Sequence, residues 1–192
     1  MRRRDAPRWR ASTRPAKRRA GLAAAQDAQK TPAPRIDAAQ LEDAERAALA
    51  PFHGAGADNP YSIHRELQEV MQNLVGIFRT DEDLRKALGE LEKLKARAKT
   101  MRIEGSRVFN PGWHLALDLK HMLIVSEACT HAALARKESR GAHSRLDFPK
   151  TEAAWGQKNH VIVKKGEAMT LSEVPRAAMP AELAQILDEG AK

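Results

Sequence analysis

The chain has 192 residues, 42% apolar and 30% charged, which suits one soluble globular domain with a real core. A single cysteine, Cys129, excludes an internal disulfide framework and a cysteine-only zinc site and fits a reducing compartment. The net charge of +8 invites a nucleic-acid reading, but nine Lys/Arg against one acid within residues 1–20 account for all of it, and the remainder is neutral.

Residues 1–35 therefore form a basic Arg/Ala/Pro-rich tail, expected to be disordered apart from a short helix within 18–30. Such an arm can hold phosphates electrostatically without reading sequence, yet no recognition motif follows it, so no specific nucleic acid is expected. A helix and linker follow over 36–58, where "IDAAQLEDAERAALA" is rich in helix formers and "PFHGAGADNP" is broken by Gly and Pro. The glycines of "HGAGADN" lack a third partner and a preceding strand, so they do not make a dinucleotide loop.

Residues 59–149 carry three helices. The first opens at Asn59–Pro60, a side-chain cap followed by a residue whose missing N–H costs nothing there, and runs an apolar stripe of Ile63, Leu67, Val70, Met71, Leu74 and Phe78. The second opens at Thr80, with Asp81, Glu82 and Asp83 suited to the positive end of the helix dipole, and carries Leu84, Leu88, Leu91, Leu94, Ala98 and Met101. The third opens at Asn110–Pro111 and is apolar around most of its circumference, from Leu115 to Leu134, so two neighbouring helices would cover only part of it, and without a further partner one face is expected to stay partly open to water. Residues 150–192 are an extension: a β-hairpin over 160–172 turning at "KKGE", then a short helix from Pro180 to Gly190. No apolar run approaches the ~18–20 residues of a membrane span, and no signal-type apolar stretch follows the N-terminal arginines.

Three candidate sites stand out. His114, Asp118 and His121 share a helix face at metal-ligand spacing but have no further ligand, so no metal is expected. Cys129 lies among apolar residues and is expected to be a buried small hydrophobe. "KESRGAHSRLDFP", residues 137–149, is the richest stretch. Its Arg140, His143 and Arg145 could bind a carboxylate or phosphate, or could lock a neighbouring segment by charge-assisted hydrogen bonds. Gly141 permits the positive φ that ends a helix.

"NPYSIHRELQEVMQNLVGIFRT", "NPGWHLALDLKHMLIVSEA" and "KESRGAHSRLDFP", in that order, resemble the C-terminal domain of the succinate dehydrogenase/fumarate reductase flavoprotein subunit, from about Arg18 to about Leu183. The resemblance implies an all-α fold, a three-helix bundle of spectrin-repeat type with the hairpin as an appendage. In that family an upstream FAD-binding domain and a capping domain hold the flavin, the dicarboxylate and the catalytic arginine. The C-terminal domain buttresses the FAD domain and helps dock an iron–sulfur subunit. Residues 1–17 resemble nothing in the family, so this chain is expected to lack the upstream parts, to bind no cofactor and to be catalytically silent alone. Arg140, His143, Arg145, Asp147 and Trp113 are the expected interdomain or partner interface. A cytoplasmic location is expected, at the inner membrane's cytoplasmic face within a complex. The alternative is a non-enzymatic helical module with a nucleic-acid-binding tail.

Overall fold

A computed structural model describes residues 36–190 except 167. The basic tail and the helix expected within 18–30 lie outside the described residues. Contacts divide the chain into two units, Met1–Ala47 and Ala48–Lys192. Most of helix α1, Ala38–Leu49, falls in the first, and its last two residues fall in the second.

The second unit is helix-rich with a small strand content. Its helices begin where capping chemistry places them. Asn59 accepts hydrogen bonds from the Tyr61 and Ser62 N–H groups, both at 3.0 Å, and opens α2, Pro60–Leu74. Thr80 accepts from Asp83 N–H at 3.1 Å and opens α3, Asp81–Ala98. Asn110 accepts from Trp113 N–H at 3.1 Å and opens α4, Pro111–Ala135. Each such cap contributes about 1 kcal/mol. The three helices pack against one another around Ile63, Leu67, Leu91, Leu94, Leu119 and Leu123. Each large buried side chain stabilises by about 1.5–3 kcal/mol.

Two elements of the expected stripes fall outside their helices. α2 stops at Leu74, so Phe78 is not on it. Gly76, where a Cβ would lie 2.7 Å from Gln72 O, breaks the helix. Phe78–Arg79 instead forms a short strand, β1, parallel to β2, Ser144–Arg145, a contact across 66 residues that departs from an all-α reading. Met101 lies beyond α3 yet remains buried in the core.

The glycines of "HGAGADN" have a packing role. A Cβ on Gly54 would sit 2.0 Å from Met101 O, and Gly56 N–H donates to Thr100 O at 2.7 Å. This close approach lets the chain after α3 turn back through Met101 and Ile103, both buried.

A 3-10 turn, Ala153–Gln157, leads into strands β3, Lys158–Lys165, and β4, Ala168–Pro175, an antiparallel hairpin longer than expected. Gly166 holds a φ of +62° at its turn, and both strands touch α4. Helix α5, Ala181–Gly190, follows. Among the described residues no helix is long and apolar enough to cross a membrane.

Candidate functional site

The turn after α4 is built on two carboxylates. Glu138 is fully buried. Its Oε1 accepts from Arg136 Nε at 2.8 Å and Arg140 Nε at 2.9 Å. Its Oε2 accepts from Arg140 Nη2 at 3.2 Å and from the Glu152 N–H at 2.9 Å. The Arg140 guanidinium above all, with the Glu152 N–H and Arg136, holds the carboxyl at about 2. A buried carboxylate with four donors stays ionised because its charge is matched and its lone pairs are satisfied.

Arg145 is also fully buried. It grips Asp147 with two parallel bonds, Nε to Oδ1 at 2.7 Å and Nη2 to Oδ2 at 2.6 Å. Its Nη1 donates to the carbonyls of Ala133, Leu134 and Arg136 at 2.9, 3.2 and 3.3 Å. Asp147 Oδ2 in turn accepts from Asp81 N–H at 3.0 Å. One ion pair therefore places a cation on the open carbonyls that end α4 and an anion on an open N–H that begins α3. Each charge meets the end of a helix dipole that favours it. Arg145 holds the Asp147 carboxyl down at about 2.

His143 lies between these pairs. Its Nδ1 accepts from Arg79 Nη1 at 2.6 Å, so Nε2 carries the proton and donates to Arg136 O at 3.2 Å. Burial lowers its pKa, the bond to the Arg136 carbonyl opposes this, and the charges of Arg79, Arg145 and Arg136 add to the lowering, so the ring stays neutral. Arg140 and His143 exchange backbone hydrogen bonds at 2.8 and 3.1 Å across a tight turn, in which Gly141 takes a φ of +58°.

The expected interface residues thus divide. Arg145 is spent within the chain and cannot line a surface. His143 is half-buried and bonded on both nitrogens. Arg140 is part exposed, but its guanidinium is shared between Glu138 and the Glu152 carbonyl, 3.0 Å away. Trp113 lies at the other end of α4, roughly 33 Å from Ala135 at 1.5 Å per residue. There it donates to Ala48 O at 2.7 Å and meets Phe52 edge-on at 5.3 Å. Glu138, Arg136 and Arg79 were not singled out from the sequence. The alternation of Arg136, Glu138 and Arg140 was the available signal for the first two. Arg79 was reached only through the β1–β2 pairing.

Cys129 corrects an expectation: it is exposed, not buried. It follows Val125, 59% exposed, on one face of α4, with Ile124 nearby also open. α2 and α3 cover one side of a helix that is apolar on nearly all sides, so part of the remainder meets water. His114, Asp118 and His121 continue the same solvent face toward the start of α4. The glycine-rich 53–59 stretch is filled by the 100–101 backbone, where a dinucleotide would need open space.

A family model described as fumarate reductase flavoprotein C-terminus matches residues 64–184. The fumarate reductase flavoprotein subunit of Escherichia coli is 43% identical over 98 residues, 50% of this chain and 16% of that protein. The Helicobacter pylori subunit of the same name is 40% identical over 102 residues, 53% of this chain and 14% of that one. A solved Mycobacterium smegmatis Sdh1 chain aligns with a TM-score of 0.78 and 41% identity, over 88% of this chain and 29% of its own length. The chain thus spans well under a third of the proteins it matches. The family match covers most of the chain, so this chain belongs to the fumarate reductase flavoprotein C-terminal family.

Proposed function

We propose that this chain serves as the helical domain of an FAD-dependent succinate dehydrogenase or fumarate reductase flavoprotein subunit. In the intact subunit succinate and fumarate are interconverted on the flavin, and electrons pass to an iron–sulfur subunit. We read α2, α3 and α4 as a three-helix bundle of spectrin-repeat type whose task is to dock on the FAD-binding part. The observation that carries this reading is the group of exposed apolar side chains on α4, Ile124, Val125 and Cys129. Contiguous exposed apolar surface on a folded domain marks an interface. In this reading Arg140 lies at the rim of the docking surface, at one end of α4, and Trp113 orders the other end. His143, Arg145 and Asp147 act from beneath, by fixing the shape of the turn.

The test uses the E. coli fumarate reductase flavoprotein subunit expressed without the segment that this chain matches. Mixed with the full chain, it is expected to give a one-to-one complex by size-exclusion light scattering, with flavin absorbance co-eluting. Two separate peaks, with this chain a clean monomer, would overturn the docking reading.

A further inference from the structure

Between α3 and α4 the chain makes a loop, residues 104–110, that holds two apolar side chains in water. Phe109 is 98% exposed, and Val108 beside it is 67% exposed. Phe109 also holds a φ of +52°, the left-handed region that favours glycine and is strained for a bulky side chain. The sequence therefore keeps an aromatic residue where both burial and backbone preference argue against one.

The loop around it is well tied. Asn110 Nδ2 donates to Glu104 O and Ser106 O, both at 2.9 Å, while its Oδ1 caps α4 through Trp113 N–H. Ser106 Oγ donates to Val108 O at 3.1 Å. Gly105 supplies a φ of +91° for the bend. At the root, Ile103 N–H donates to Pro51 O at 3.0 Å, and Met101 and Ile103 are buried in the core. One residue, Asn110, thus fastens the loop and starts the helix.

We propose that this loop is a preorganised plug, and that Phe109 with Val108 seats in an apolar cleft on the FAD-binding part of the flavoprotein subunit. Rigid aromatic anchors dominate interface energetics, and an anchor fixed before binding loses little entropy on docking. The strain at Phe109 is then retained because the residue is needed in the assembled protein. The occupant follows from continuity. The loop runs directly into the start of α4, which further along carries the exposed Ile124, Val125 and Cys129 of the proposed docking surface. The relatives are flavoprotein subunits several times longer than this chain, and the proposal assigns the facing surface to the remainder of that subunit. This inference rests on the docking reading above.

The experiment measures binding of the full chain to the shortened E. coli subunit described above, for wild type and for Phe109→Ala, Phe109→Gly and Phe109→Trp. The Ala and Gly variants are expected to bind at least about 30-fold more weakly, and the Trp variant to stay within about threefold of wild type. The Gly variant relieves the backbone, so the free protein is expected to melt at or up to about 2 °C above wild type. Wild-type binding that Phe109→Ala leaves within about threefold would overturn the plug and spare the docking reading. A melting point several degrees lower in Phe109→Ala would make Phe109 a packing residue and also overturn it. A free-chain dimer that Phe109→Ala dissolves would assign the plug to a second copy and refute the stated occupant. No binding by wild type would overturn both readings.

Discussion

Arg145→Ala is expected to destabilise the chain by about 3–5 kcal/mol, the loss seen when one partner of a buried ion pair is removed. The substitution leaves Asp147 without its bidentate partner and three carbonyls at the end of α4 without a donor. Both ends of the staple fail together, because Asp147 also holds the first N–H of α3. At about 2–4 °C per kcal/mol for a chain of this length, the melting temperature is expected to fall by about 6–20 °C. Arg145→Lys is expected to recover little, since an ammonium cannot make the fork to Asp147 and reach the carbonyls as well. A loss below about 1 kcal/mol in urea unfolding would show that the pair does not join the two helix ends.

Acid is expected to unfold the protein through Glu138 and Asp147. Both carboxyls sit at about 2 in the folded state, against ordinary values of 4.5 and 3.8. As pH falls below the ordinary values, the unfolded chain takes up protons that the folded chain refuses. The stability these groups supply is therefore complete above about pH 5 and is lost as pH falls through about 2. Glu138 accounts for about 3 kcal/mol of it, and Asp147 for less because its carboxylate is part exposed. His143 adds a smaller slope of the same sign below 6.5, because burial keeps it neutral while the unfolded ring protonates. Urea midpoints measured between pH 7 and pH 2.5 are expected to drop steeply at the acid end. Glu138→Gln is expected to start about 3 kcal/mol lower at pH 7 and to show a flatter acid limb. A wild-type acid limb no steeper than that of Glu138→Gln would refute the assignment.

The helix starts were legible because caps are local. Asn59, Thr80 and Asn110 each bond an N–H two or three residues ahead, so a short window of sequence contains the whole interaction. The end of α2 was not legible from its stripe. Phe78 kept the apolar spacing, but Gly76 broke the helix and β2 offered β1 a partner far along the chain. α4 shows a second limit. Its composition said that two helices would cover only part of it, but not which side would stay open, so Cys129 was misplaced. In the turn, residue types announced charge-assisted bonding without saying where it pointed. Burial turned Arg145 inward to the helix ends, and Glu138 emerged as the hub because Arg136 and Arg140 flank it. Phe109 looked unremarkable in sequence, because neither its backbone angle nor its exposure leaves a pattern there.

This chain is expected to work where the family's C-terminal domain stands. The most direct measurement is succinate-dependent dye reduction by an E. coli fumarate reductase flavoprotein subunit in which residues 64–184 of this chain replace the matching segment. The predicted result is a flavin-containing hybrid with activity within about tenfold of the parent, a barrier change of about 1.4 kcal/mol. A folded hybrid that holds no flavin and reduces no dye would contradict the account.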